Sequence, residues 1–324
     1  MGDKYLLGLL EDKLVDTVSS YLQNNGLRER EYHIVFSGGF DSSLLAALTK
    51  PMMGYRIKFP YGSMFDESRY AEAVAKHLNL FVNEIVITPE LFRENFEAAV
   101  RVMGEPTTHL SLVPLYILMM KMVQDGVKDV LSGEGPDEYL GGYARQIIFD
   151  ELKKLYEIPE LRNYHGMVDR ELGIPIQNKD RALLRKYYDL IYGGDDKTFS
   201  EFCNDKLGNY PLQGQIGKMD MELGHIEKME QRFAKHFGIN FHYPYINKEL
   251  AEFCYKLPDH LKIRNGVTKW GFKKIAMKYL PEIMRDRQKM GGPVAPVNEL
   301  MGWTDLDKFD KSRYLEEQKK ILGL

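Results

Sequence analysis

The seven residues from Ser37 to Ser43, Ser-Gly-Gly-Phe-Asp-Ser-Ser, constrain this chain more than any other segment. The apolar run at 32–36 is typical of a buried strand, and the run at 44–48 is typical of a helix that ends before Pro51. Two glycines in such a strand-to-helix turn let backbone N–H groups point inward, where the helix dipole has its positive end. The segment therefore predicts an anion-binding loop, and we expect the phosphates of ATP there.

A carboxylate inside this loop narrows the expected ligand. Phosphates repel a carboxylate unless a cation lies between them, so Asp41 predicts Mg²⁺ shared with a polyphosphate. The loop contains no lysine, which separates it from the G-x-x-x-x-G-K-[ST] type of phosphate loop. A Gly-Gly turn or a serine cap taken alone is ordinary at a helix start, but their combination with Asp41 favours a nucleotide site.

The composition predicts a soluble protein that acts on small molecules. The 324 residues are 44% hydrophobic and 28% charged, and the net charge of −3 does not favour nucleic acid as a partner. Cys203 and Cys254 are too few for a disulfide framework or a Cys-x-x-Cys site, which fits a reducing cytoplasm. The longest apolar stretch, at 106–120, contains His109 and Pro114 and falls short of a membrane span, so we expect no membrane role.

Strand-like and helical runs alternate through the first part of the chain. After a helix at 4–24 and the first strand, strands are predicted at 55–59, 82–87 and 127–131, with helices at 67–78, 89–103 and 112–123 between them. This alternation predicts an α/β fold, a parallel sheet with helices on both faces. Strand signals fade beyond about residue 143. We therefore predict an ATP-binding α/β region at 1–145 and a mainly helical region at 146–324 that completes the active site.

A second glycine-rich segment, from Ser132 to Tyr143, follows a predicted strand. It would emerge at the carboxyl edge of the sheet, beside the first loop, and its glycines would allow a ligand to approach the backbone. Asp137 predicts a second carboxylate on the Mg²⁺ of Asp41, and Glu134 remains for proton transfer. A merely structural loop is the alternative.

A third segment, at 285–294, is a basic turn far along the chain. Taken alone, it is typical of a solvated surface loop. Lys289 gains interest beside a nucleotide site, because a fixed ammonium group stabilises the negative charge that develops on a phosphate during adenylation. We therefore predict a catalytic role for Lys289.

These three segments, in this order, resemble the synthetase domain of the asparagine synthetase family, whose members include β-lactam synthetases and lasso-peptide cyclases. The resemblance extends from the N-terminal helix to about Trp303 and includes the segments 257–259 and 265–269. The first loop alone would indicate only the wider ATP pyrophosphatase group, the PP-loop proteins. The resemblance implies that a substrate carboxylate attacks the α-phosphate of ATP to give an acyl-adenylate and pyrophosphate. An amine then converts the acyl-adenylate to an amide.

The resemblance also implies a role for each matching residue. Glu134 would act as the base for the incoming amine, and Lys289 would stabilise the transition states of both steps. Two further sets would bind the nucleotide: Ser37, Gly38, Gly39, Asp41, Ser42, Ser43 and Asp137 for Mg-pyrophosphate, and Phe36, Ile57, Ser132 and Gly133 for adenosine.

Departures from the family pattern bear on the substrates. Residue 2 is Gly and the first loop begins at residue 37, so we expect no glutamine-hydrolysing domain with an N-terminal Cys. The amine donor would then be free ammonia, a separate glutaminase or an amine on another molecule. Leu110 stands where asparagine synthetases can show an Arg, while Asn240 and His242 replace a Glu and an Arg. Loss of these guanidinium groups weakens the case for aspartate as the small-molecule carboxylate.

Two other functions stay open on the sequence. The chain could be an ATP pyrophosphatase that modifies a nucleic-acid base or a carrier, although the lack of a Cys pair and of a basic balance argues against thiolation. It could also be a nucleotide-binding scaffold without catalysis, but a pure binder needs neither Glu134 nor Lys289. A homo-oligomer is compatible with each of these functions.

Overall fold

A computed structural model describes residues 2–59, 68–142, 225–287, 296–303 and 310–324. The elements in chain order are α1 (Asp3–Asn24), β1 (His33–Val35), α2 (Phe40–Thr49), β2 (Met53–Lys58), α3 (Ser68–Leu78), β3 (Val82–Val86), α4 (Pro89–Met103), α5 (Leu112–Gln124), β4 (Asp129–Leu131), α6 (Pro136–Leu140), α7 (His225–Phe237), β5 (Asn240–His242), α8 (Lys248–Lys256), α9 (Asp259–Lys262), α10 (Trp270–Ala276), a 3-10 helix (Glu282–Asp286), α11 (Val297–Met301) and α12 (Lys311–Leu322). Of the helices described, none combines the length and the apolar character needed to cross a bilayer.

The strands form one parallel sheet in the order β3-β2-β1-β4-β5. The central strand β1 pairs with β2 on one side, with His33 opposite Met53, and with β4 on the other, with His33 opposite Val130. The strands that follow β1 are added first on one side of it, as β2 and β3, and then on the other side, as β4 and β5. The strand order therefore reverses at β1. Ligands of open parallel sheets bind at such a reversal, beyond the carboxyl ends of the strands.

Local signals fix the ends of the helices around this sheet. The Thr88 side chain accepts a hydrogen bond from the Leu91 N–H at 3.2 Å, so it caps α4, and Pro89 occupies the first turn. Gly104 ends the same helix in the left-handed conformation, at φ +73°. These are the capping residues that a helix predicted at 89–103 requires.

The main hydrophobic core lies between the sheet and the helices α4, α5 and α7. Helix α5 is buried along most of its length, from Leu112 to Met119. Phe92 of α4 and Phe233 of α7 are fully buried with it. Full burial of such a side chain stabilises the fold by about 1.5–3 kcal/mol, so this core holds the strands of the sheet in place.

The predicted α/β fold with its parallel sheet is confirmed. The structure also shows a strand that the sequence did not predict, because β5 lies beyond residue 143, where we expected strand signals to fade. It pairs with β4, with Asp129 opposite Asn240. Three residues with polar ends give too short a pattern to be recognised, and β5 depends on its partner strand for stability.

The described residues divide into two compact units. The sheet unit contains the described parts of 14–134, 224–246 and 276–324, with all five strands that the structure describes. The helical unit contains the described parts of 1–13, 135–223 and 247–275. The domain boundary predicted near residue 145 stays a prediction, and most of the predicted helical region, at 143–224, lies outside the described residues.

Candidate active site

The first loop lies between β1 and α2 and is held together by its own serine hydroxyls. The Oγ atom of Ser37 accepts a hydrogen bond from the Gly39 N–H at 3.1 Å. The same atom lies 3.1 Å from Oγ of Ser42, which in turn accepts from the Ser37 N–H at 3.3 Å. These bonds fix the turn without a charged group, so the loop is preorganised for an anion.

Gly38 places the loop directly against helix α3. Its φ is +76°, which favours glycine, and a Cβ atom there would lie 2.6 Å from the Cα of Ala71. That distance is far below van der Waals contact with backbone atoms that cannot move aside. Glycine is therefore required at this position both by its conformation and by its close approach to α3.

The first turn of α2 is open to an anion. Its N-cap residue is Gly39, which has no side chain to accept hydrogen bonds from the first backbone N–H groups. The Ser43 hydroxyl is buried, and it has no hydrogen-bond partner among the described residues. Backbone donors at the positive end of a helix, which is ten residues long here, are the usual means of holding phosphate.

The second glycine-rich segment begins against this same turn. The Ser132 N–H donates to the His242 carbonyl at 2.8 Å, so the main chain continues the pairing of β4 with β5. A Cβ atom on Gly133 would lie 3.0 Å from the backbone nitrogen of Ser42. The structure therefore brings Ser132 and Gly133 to the first loop, and a side chain at Gly133 would crowd the N-terminus of α2. Glu134 follows directly and is half-buried.

Phe36 and Ile57, the other two residues predicted to line adenosine, lie on neighbouring strands or their ends. Phe36 is fully buried, and its N–H donates to the Tyr55 carbonyl at 2.8 Å. Ile57 is half-buried on β2 and packs against the core. Both therefore lie near the carboxyl ends of β1 and β2, and their contact with adenosine stays a prediction.

The Asp41 carboxylate has a buried neighbour that the sequence did not single out. Oδ1 of Asp41 is buried, and Tyr245 is fully buried. Burial raises the pKa of the Tyr245 phenol well above its usual value, and the negative charge of Asp41 raises it further. The phenol therefore stays neutral beside the Asp41 carboxylate.

The third segment reaches the first loop through Arg287. Arg287 is only 8% exposed, and its Nη2 atom lies 3.5 Å from the position that a Cβ atom on Gly39 would take. Arg285, two residues earlier, is 68% exposed at its side chain and pairs with Glu282 at 3.0 Å. Lys289, the predicted catalytic residue, lies outside the described residues.

Asp137 belongs to the helical unit and is held by an ion pair. Its Oδ1 atom lies 2.6 Å from Nζ of Lys269, and the two side chains are 22% and 3% exposed. A Cβ atom on Gly142 would lie 1.8 Å from the same oxygen, so glycine is required there to leave room for the carboxylate. The Lys269 N–H also donates to the Gly141 carbonyl at 3.3 Å. The sequence did not reveal this partner, because it lies far from Asp137 along the chain.

The donor set fits a cation that arrives with a polyphosphate. Among the residues that the structure describes, no three His, Cys, Asp or Glu side chains lie close enough to hold a metal ion by themselves. Mg²⁺ is commonly bound through one or two carboxylates together with substrate phosphates and water. Asp41, in the first turn of α2, is a carboxylate at the position where we predicted such a ligand, and its Oδ1 atom is buried.

Comparison with known proteins finds one family and relatives that carry the same family name. The profile of the asparagine synthase family matches residues 9–324. Asparagine synthetase [glutamine-hydrolyzing] 1 of Bacillus subtilis is 26% identical over 304 residues, which cover 82% of this chain and 47% of that protein. The putative asparagine synthetase [glutamine-hydrolyzing] 1 of Methanocaldococcus jannaschii is 37% identical over 188 residues, 48% of this chain and 35% of that protein. The matched region thus spans less than half the length of these relatives.

Among solved structures, the NMN synthetase from Francisella tularensis is similar over 62% of this chain and 93% of its own, with 17% identity and a TM-score of 0.29. A likeness at this level does not bear on shared chemistry. The family profile covers nearly the whole chain, including the two glycine-rich segments and the basic turn. This chain belongs to the asparagine synthase family.

Proposed function

We propose that this protein is an ATP-dependent, AMP-forming amide ligase that adenylates a carboxylate and transfers ammonia or another amine to it. The observation that carries the proposal is the first loop. It lies at the carboxyl end of the central strand, opens the N-terminus of α2 to an anion, and has Gly133 packed against it. Membership of the asparagine synthase family favours a ligase over a protein that only binds a nucleotide.

The first loop would bind the β- and γ-phosphates and then the leaving pyrophosphate. The backbone N–H groups of the first turn of α2, which include that of Ser42, and the Ser43 hydroxyl would donate hydrogen bonds to these phosphates. Asp41, with Asp137, would hold Mg²⁺, which when bound neutralises charge on the departing pyrophosphate. The ion pair with Lys269 would orient Asp137 for that role.

The adenosine would lie along the ends of β1, β2 and β4. Ile57 lies near the end of β2, while Phe36 follows β1 and Ser132 and Gly133 follow β4. A Cβ atom on Gly133 would lie 3.0 Å from the Ser42 nitrogen, so glycine there would keep the first turn of α2 open to the nucleotide. This arrangement would present the α-phosphate to the substrate carboxylate, whose oxygen attacks phosphorus while pyrophosphate leaves.

The amide would form in a second step on the acyl-adenylate. The amine nitrogen attacks the acyl carbon, the C–O bond to AMP breaks, and AMP leaves with the oxygen that joined it to the substrate. Glu134 would accept the proton that the amine releases. Lys289 would stabilise the negative charge on the phosphate in both steps, because a fixed charge acts most strongly where charge develops.

Ammonia, or ammonia from a separate glutaminase, is the proposed amine donor. Cys254 is fully buried, and burial raises the pKa of its thiol to about 12. A protonated, inaccessible thiol cannot serve as the nucleophile for glutamine hydrolysis. The other cysteine, Cys203, lies outside the described residues.

The three residues that depart from the family pattern do not favour aspartate as the carboxylate substrate. The side chains of His242 and Asn240 both bond to Oδ1 of Asp129, at 2.9 and 3.0 Å. Leu110 packs against the hydrophobic core. None of these three residues offers a guanidinium group to a second carboxylate, so we propose a carboxylic acid of different shape as the substrate.

A screen for ATP–pyrophosphate exchange tests this function. The protein is incubated with ATP, Mg²⁺, labelled pyrophosphate and one carboxylic acid at a time from a chemically varied panel. We expect label in ATP only with acids that fit, because exchange requires a reversible adenylation. Substrate-dependent formation of ADP and orthophosphate would contradict the proposed reaction.

A further inference from the structure

Arg287 lies beside the first loop at a place that the surrounding packing defines closely. It follows the 3-10 helix at Glu282–Asp286, which is anchored by the fully buried Met284, and its N–H donates to the Met284 carbonyl at 3.2 Å. The guanidinium carbon lies 5.9 Å from the ring centroid of Tyr70 on α3. Nη1 and Nη2 lie 3.9 and 3.5 Å from the position of a Cβ atom on Gly39.

Two positive groups, the Arg287 guanidinium and the N-terminus of α2, lie close together beside Gly39. Helix α2 begins at Phe40, directly after Gly39, and its N-terminus carries a partial positive charge. A guanidinium group and a helix N-terminus each attract an anion, and Arg287 is only 8% exposed beside this N-terminus. An anion with more than one charge would therefore interact with both groups at once.

The chemistry of the group matches a phosphate. A guanidinium donates two parallel hydrogen bonds to two oxygens of one anion, which suits phosphate in charge and in geometry. Arg287 also makes other contacts within the protein, and a polyphosphate would add to them. Tyr70 on one side and the loop on the other limit the directions in which the planar group can turn.

We propose that Arg287 is a phosphate-binding residue of this site, which holds the β- and γ-phosphates of ATP and then the leaving pyrophosphate from the side of Gly39. This inference rests on the proposed function for its ligand. It gives a function to a second residue of the basic turn, in which the sequence analysis predicted a role only for Lys289. Arg287 would bind phosphate in the ground state, whereas Lys289 would act when charge develops in the transition state.

Arg285 provides a matched control in the same turn. It has the same charge and lies two residues away, but its side chain is 68% exposed and pairs with Glu282. Nonspecific attraction of pyrophosphate to a basic turn would respond to the loss of either arginine. A specific site beside Gly39 responds only to the loss of Arg287.

The test measures the affinities of Mg-pyrophosphate and of AMP by calorimetry for the wild type, Arg287→Gln and Arg285→Gln. We expect Arg287→Gln to weaken pyrophosphate binding by about tenfold or more, as for the loss of a charged hydrogen bond, with AMP affinity within about twofold. Arg285→Gln should leave both affinities within about twofold. Unchanged pyrophosphate affinity in Arg287→Gln, or an equal loss for both ligands, would overturn the proposal.

Two further measurements keep the outcome decisive. If Arg287→Gln does not fold, Arg287→Lys is compared instead, and we expect a loss of about threefold for pyrophosphate alone because the charge remains without the fork. Wild-type affinity in that variant would overturn the proposal. The products of ATP turnover by the wild type test the proposed reaction separately. Formation of ADP would refute that reaction, but it would not refute pyrophosphate binding by Arg287, because the affinities are measured without turnover.

Discussion

The first loop and the Asp137 segment each carry a carboxylate that we assign to Mg²⁺, but the protein holds them by different means. In the first loop, neutral hydroxyls of Ser37 and Ser42 fix the turn at 3.1 Å, and α3 packs against Gly38. Asp137 is instead fixed by a buried charge, the ammonium of Lys269 at 2.6 Å. The loop thus depends on shape and dipoles, whereas the Asp137 segment depends on charge. The two should respond differently to substitution.

The largest expected effect comes from the shape of the first loop. Gly38→Ala places a Cβ atom 2.6 Å from the backbone of Ala71 at a φ of +76°, so we expect the free energy of unfolding to fall by about 2–5 kcal/mol. Gly26→Ala is the control, because Gly26 has a φ of +66° with nothing within 4 Å. It should cost only about 1 kcal/mol, for the backbone alone. Equal losses in urea denaturation would show that α3 does not constrain the loop.

The next largest effect is expected on the rate of AMP formation when the positive charge of Lys289 is removed. Lys289→Ala should lower the rate of AMP formation by about 10²–10³ with folding and ATP affinity nearly unchanged, because the ammonium stabilises the transition state. Lys289→Arg should restore the rate only in part, since a forked group does not replace a compact one. Lys311→Ala, exposed at the start of α12, is the control and should keep the wild-type rate. If Lys289→Ala keeps more than about half of wild-type turnover, Lys289 has no catalytic role and the basic turn is a solvated surface loop.

A smaller effect tests the charge that holds Asp137. Lys269→Met removes the ammonium and leaves a largely buried carboxylate, so we expect the free energy of unfolding to fall by about 1–3 kcal/mol, less than for a fully buried pair because Asp137 is 22% exposed. Asp137→Asn in the same chain should recover at least half of that loss. Glu249→Gln, which removes an exposed charge and breaks the 2.8 Å pair with Lys13, is the control and should lower the free energy of unfolding far less than Lys269→Met does. Additive losses at positions 137 and 269 would contradict the ion pair as the fixing contact.

The smallest expected effect is at a residue outside both regions. Cys254→Ala should leave ammonium-dependent turnover within about twofold, because the thiol is buried with its pKa raised to about 12 and is therefore inert. Glutamine as the sole amine donor should give no product with this chain. Release of glutamate from glutamine by the purified 324-residue polypeptide would refute this expectation.

The sequence predicted the strand-to-helix turn of the first loop because its signal is local, whereas the binding of an anion there stays a prediction. The strand, the glycines, the serines and the helix that follow one another at 32–48 determine the turn by themselves. Asp137 and Lys269 meet only after folding, so neither residue's neighbours in the sequence indicate the pair. The difference in exposure between Arg285 and Arg287 also depends on how an irregular turn packs, and no periodic pattern marks it. Lys289 stays a prediction, since it lies outside the described residues.

Transfer of labelled oxygen tests the proposed adenylation most directly. A carboxylic acid that supports turnover is labelled with ¹⁸O in its carboxyl group and converted with ATP, Mg²⁺ and ammonium, and the nucleotide and phosphate products are examined by mass spectrometry. If the carboxylate attacks the α-phosphate, AMP carries one labelled oxygen and pyrophosphate carries none. Label in orthophosphate together with ADP, or AMP without label, would contradict the proposed reaction.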